Sequence, residues 1–151
     1  MKPWIWLRVA AALQAFFTFG HTVGGIPRKA IHGPQEQGLF DAMRALQFDV
    51  MGSTRSNWDF YRGFSITVSI ALAVLTVLLW QLATMSRAEP ANARPLVATI
   101  LVGELLIAFV SLNDFFIIPS VTAILVSLCL AVTLAASYRS DGVASEVVAA
   151  G

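Results

Sequence analysis

Between Arg62 and Arg87 the chain carries no charged side chain. The apolar run inside that stretch, Phe64 to Leu82, has the length a helix needs to cross a hydrocarbon layer of about 30 Å. Trp58 and Trp80 bracket it, about 33 Å apart at a rise of ~1.5 Å per residue. Tryptophan gathers at both interfaces of a bilayer, and that separation matches them. Such a run leaves few folds open, because a segment inside lipid must satisfy its backbone hydrogen bonds internally. Composition closes the soluble alternative: 57% of residues are apolar and 13% charged, against roughly 45–50% and about 25% in soluble domains. A single small domain cannot bury that excess.

Three further runs have similar character. The first extends from Trp4 to Val23, with Trp4 and Trp6 at interfacial positions. It continues through Gly20-His21-Thr22-Val23-Gly24 without an Ala-x-Ala-like cleavage site, which favours a span over a signal peptide. Leu96 to Leu112 form a shorter run, and about 116–137 another, with Pro119 near its start, where proline is tolerated. Asn113-Asp114 separate these two closely enough to predict an antiparallel pair. The expected fold class is all-α: an integral membrane bundle of four transmembrane helices, over about 4–23, 58–84, 96–112 and 116–137. Residues 139–151 read as a mobile tail.

The first link is the long one. Pro27, Gly33, Pro34 and Gly38 punctuate its start. From Gln35 to Met51, Leu39, Phe40, Met43, Leu46 and Val50 recur at helical spacing, which predicts a short amphipathic helix stopped by Gly52. Ser56 is placed to cap the next helix, with Asp59 three residues on as an acidic capping-box partner. Residues 86–95 read as a short polar loop. Basic residues set the orientation: Lys2, Arg8, Arg87, Arg94 and Arg139 fall on one side, whereas Arg28, Lys29, Arg44, Arg55 and Arg62 share a longer loop with Glu36, Asp41, Asp49 and Asp59. The positive-inside rule then puts both termini in the cytoplasm.

Polar groups inside the spans are the functional candidates. Glu104 lies mid-span, where a carboxylate costs on the order of 2.5–3.5 kcal/mol to insert and must face the bundle interior, find donors or stay protonated. Gln14, Thr18 and His21 share one face of the first span, and Arg62, Ser65, Ser69 and Thr76 one stripe of the second. His21, Asp59, Tyr61, Arg62 and Asp114 are expected at similar depth at the outer mouth, as a site for a polar headgroup or a proton entry, or as an ion-pair and capping network. His32 reads as solvated. Cys129 lies in an apolar run and reads as a small lipid- or core-facing residue; with one cysteine there is no intrachain disulfide. No Cys-x-x-Cys, His-Glu-x-x-His, Gly-x-Ser-x-Gly, P-loop or dinucleotide fingerprint occurs. Two distant histidines make a poor metal set, no cofactor is indicated, and a net charge of +1 gives no case for nucleic acid.

Gly20-His21-Thr22, Phe48-x-x-Met51-Gly52 and Trp58-Asp59-Phe60-Tyr61-x-Gly63-Phe64 carry a resemblance. In these motifs the first half of the chain resembles a family of small four-helix bacterial membrane proteins without an established activity. The resemblance implies a bacterial inner-membrane protein. Three functions are compatible with the residues. One is a protein binding a lipid or small lipophilic ligand, alone, as a homo-oligomer or within a larger membrane complex. Another is a membrane enzyme using His21, Asp59 or Glu104 in acid–base roles. The third is a proton- or ion-conducting element using Glu104.

Overall fold

The computed structural model describes residues 2–26 and 29–149, and side chains only as far as Arg139. Pro27 and Arg28 of the first link, and the last two residues of the tail, lie outside the described residues. The fold is dominated by helix. In chain order come α1 (Pro3–Gly20), a π-helical turn (His21–Gly25), α2 (Pro34–Ala45), a hairpin of β1 (Gln47–Val50) and β2 (Ser53–Ser56), then α3 (Asn57–Ala88), α4 (Pro90–Asp114) and α5 (Ile117–Ala149). Among the described residues, three helices are long and apolar enough to cross a membrane: Asn57–Ala88, Pro90–Asp114 and Ile117–Arg139. The shorter α1, which carries Arg8 and Gln14, is not among them.

The chain divides into two compact units, Met1–Phe17 with Ala73–Gly151, and Thr18–Leu72. In the first unit the core is built from Leu7, Ala10 and Ala11 of α1, Leu79, Leu82 and Ala83 of α3, Ala93 and Val97 of α4, and Val126, Cys129 and Leu130 of α5. Alanines at so many of these positions let the helix backbones approach closely, the usual basis of helix packing in lipid. Phe115 and Phe116 link α4 to α5, and the two helices pack antiparallel along their length. Arg94 fixes their register, donating from Nε to Ser137 Oγ at 3.1 Å and from Nη2 to the Ser137 carbonyl at 2.5 Å. The expected polar loop 86–95 shrinks to Glu89. Proline suits the first turn of a helix, where no N–H is needed, so Pro90 lets α4 begin at once. Past the expected end of the fourth span near 137, α5 keeps helical backbone to Ala149.

The second unit corrects the expectation for residues 35–51. The helix ends at Ala45, and residues 47–56 form an antiparallel hairpin in the register Gln47↔Ser56, Phe48↔Arg55, Asp49↔Thr54 and Val50↔Ser53. Met51 and Gly52 make its two-residue turn with φ of 49° and 80°. Positive φ at both turn positions matches the right-handed twist of paired strands, which is why such turns join hairpins. The spacing of Leu46 and Val50 fits a helix as well as a hairpin, but Gly52 in the left-handed region decides for the hairpin. Asp49 then accepts from Thr54 Oγ1 across the strands at 2.7 Å. Of the apolar residues expected on one helical face, only Phe40 is buried; Leu39 and Leu46 are exposed.

Candidate functional site

In the second unit, His21 opens the π-helical turn, a rare geometry that recurs at functional positions. Its Nδ1 lies 3.0 Å from Ser69 Oγ on α3. Gly25 closes the turn against the ring: a Cβ there would stand 3.1 Å from His21 Cδ2 and Nε2. Ser69 is buried, so the pair is a fixed polar contact on the stripe read from the sequence.

Asp59 has a local role. Its Oδ2 accepts from the Ser56 backbone N–H and from Ser56 Oγ, both at 2.9 Å, and Ser56 Oγ in turn accepts from the Asp59 N–H at 3.2 Å. This is the reciprocal capping box expected at the head of α3. Trp58, in the first turn of α3, packs on α2, with its ring 4.7 Å from that of Phe40 and the Arg44 guanidinium 4.1 Å above it. Tyr61 stands 6.2 Å from Trp58, centroid to centroid, and both Tyr61 and Arg62 are exposed. Because His21 meets Ser69, its ring lies about 15 Å along α3 from Asp59, at ~1.5 Å per residue. His21 and the Asp59–Arg62 group therefore occupy different levels of this unit. Outside the spans, Glu36 Oε2 accepts from the backbone N–H groups of His32 and Ile31 at 2.8 and 2.6 Å. Those bonds, His32 first, hold its carboxyl below the ordinary glutamate range. His32 Nδ1 also approaches Glu36 at 3.4 Å, so this histidine takes part in the link's geometry.

In the first unit, Glu104 is 3% exposed on the face of α4 that also buries Val97, Ala108 and Ser111. No hydrogen-bond donor among the described residues reaches its carboxylate. Counting inward from the Arg94–Ser137 contact, Glu104 stands level with Ser127, whose buried Oγ has no hydrogen-bond partner. Asp114 is the exposed last residue of α4, and its neighbour Asn113 donates to the Phe109 carbonyl at 2.7 Å.

Sequence reasoning missed a set of arginines seated on aromatic rings. Arg8 lies 3.4 Å above Trp80, Arg87 5.2 Å from Trp4, and Arg94 4.3 Å from Tyr138. Each pairs residues remote in the chain, so spacing could not reveal it; the signal was the recurrence of Arg and Trp near span ends. Such stacking is worth about 0.5–1 kcal/mol at exposed sites and more when desolvated. Among the described residues no group of three His, Cys, Asp or Glu side chains could hold a metal ion. Comparison with protein-family models, with curated proteins and with solved structures gives no match.

Proposed function

We propose that the chain crosses a bacterial inner membrane four times, with both termini in the cytoplasm, and binds a lipid or small lipophilic ligand, alone or as a subunit of a membrane complex. One observation carries this reading. The most apolar windows of the three long helices have mean hydropathy of 2.2 to 2.4, yet only 22%, 22% and 39% of their residues are buried. Apolar surface on that scale is stable only against lipid or partner helices. The fourth span is α1 with its π-helical turn, about 35 Å long at ~1.5 Å per residue. The gathering of Arg8, Arg87 and Arg94 around Trp80, Trp4 and Tyr138 supports a cytoplasmic interface there.

The test is mass spectrometry of the protein purified in mild detergent, beside alkaline extraction of its membranes. A reproducibly retained lipid or lipophilic molecule is expected. Release of the chain by alkali would overturn the membrane reading, and purification free of any such molecule would overturn the ligand reading. A second reading, a proton-conducting oligomer, is favoured by one specific feature: Glu104 and Ser127, both buried and level in the middle of the α4–α5 pair.

A further inference from the structure

We propose that the groove between α1 and α3 holds one anionic phospholipid of the adjoining leaflet, its phosphate against Arg8 and an acyl chain along the alanines of α1. This inference rests on the membrane reading above and adds to it the lipid class and the position.

Arg8 is the anchor. Its guanidinium stacks on Trp80 and donates from Nη2 to Thr84 Oγ1 at 3.1 Å. The Thr84 hydroxyl in turn donates to the Trp80 carbonyl at 3.4 Å, leaving its lone pairs to the arginine. Nη1 is buried without an acceptor. An arginine offers its donors in a fixed planar fork suited to phosphate oxygens, so one donated bond and one ring leave most of the fork unused. Among the described residues no carboxylate pairs with Arg8. Arg87 and Arg94 are likewise set on aromatic rings. Glu89, the acid between them, is engaged by the Asn92 amide. Among the described side chains Arg8, Arg87 and Arg94 outnumber Glu89 here, and a net positive end attracts anionic lipid more than zwitterionic lipid, which brings its own cation.

Trp80 connects the anchor to a groove of about 230 Å³ lined by Ala11, Ala12, Ala15, Thr76 and Val77. Two helix faces carrying only small or branched side chains leave that space. It is below the roughly 300–1,000 Å³ of sites for drug-sized ligands, and suits a segment of one hydrocarbon chain. From Arg8 to Ala15 the groove leads about 10 Å toward the middle of the span, at ~1.5 Å per residue. Charge at one end and hydrocarbon contact along the rest are the two halves of a phospholipid.

The experiment is native mass spectrometry of the full chain in neutral detergent, titrated with phosphatidylglycerol or phosphatidylcholine of identical acyl chains. The wild type is expected to retain phosphatidylglycerol preferentially. Arg8→Gln is expected to lower that retention about fivefold, the worth of one arginine at an anionic surface, and Arg8→Lys to restore part of it. Arg55→Gln, on the hairpin, is expected to change nothing. Ala15→Leu, which fills the groove, is expected to weaken retention of both lipids and decides the matter should Arg8→Gln fail to fold. Equal retention of the two lipids by the wild type would overturn the proposal. So would full competition by glycerol 3-phosphate, which would mark an anion site without a chain groove. Alkaline extraction run on the same membranes reports separately on the membrane reading, so a chain that stays embedded but shows no lipid preference defeats this inference alone.

Discussion

Arg94 and Ser137 hold α4 and α5 in one register, and that register puts Glu104 and Ser127, both buried, at one level in the middle of the pair. A step of about 15 Å along each helix, at ~1.5 Å per residue, leads from the first pair to the second. A carboxyl and a hydroxyl are thus buried at one level of an interior that also holds Val97, Ala108, Ala123, Val126 and Leu130. This arrangement governs what substitution there should do.

Ser127→Ala is expected to leave thermal stability in detergent unchanged or slightly higher. The hydroxyl it removes is buried and unbonded, and an unsatisfied buried group of this kind costs about 1–3 kcal/mol. Glu104→Gln separates the two functional readings. If Glu104 carries protons, the variant should fold normally and abolish proton flux in liposomes. Wild-type flux in that variant, or no flux in the wild type, removes the conduction reading and leaves lipid binding in place.

The head of α3 gives a sharper expectation. Ser56 caps the helix through three hydrogen bonds with Asp59, so Ser56→Ala should cost about 1 kcal/mol of stability. Asp59→Ala should destabilise in the same direction, and the double variant by less than both together, since the two residues share one network. Asp59→Asn is the test for a ligand role. A loss of lipid binding with an unchanged melting temperature would return Asp59 to the site; a lowered melting temperature with binding intact identifies it as a cap.

Several features were legible in the sequence because they follow from local rules. The cap at Ser56 and Asp59 is a matter of spacing, the long apolar runs one of length, and the burial of Glu104 one of cost inside an apolar run. Other features depend on what meets across space. Arg8 on Trp80 and Arg87 on Trp4 join α1 to the far end of α3. The level of His21 is set by Ser69, deeper along α3 than the Tyr61–Arg62 pair with which equal span lengths would align it. Residues 47–56 were missed for a different reason. Apolar residues three or four apart score for a helix, while the turn chemistry of Met51-Gly52 outweighs them.

That turn is open to direct test. Met51 adopts φ 49° with its side chain fully exposed, and Gly52 adopts φ 80°. A Cβ at Gly52 meets no atom, so the cost of Gly52→Ala is conformational alone, about 1–2 kcal/mol for a side chain in the left-handed region. Met51→Asn should stabilise the hairpin, because asparagine accepts positive φ at this turn position. Hydrogen exchange at the paired amides reads both effects, and slower exchange in Gly52→Ala would contradict the assigned turn.

The link before α2 should respond to acid through Glu36. Its carboxylate gathers the backbone N–H groups of His32 and Ile31, and those bonds lower its pKa below the ordinary value of 4.5. A depressed carboxyl contributes stability that is fully present above the unfolded-state value and is lost as pH falls through the folded-state value. Exchange of the His32 and Ile31 amides, corrected for intrinsic rates, should therefore hold steady from neutral pH to about 4.5 and quicken below it. Glu36→Gln should show the quicker exchange throughout and abolish the acid step. Protection in that variant that still collapses at the same acidity would assign the transition to another group.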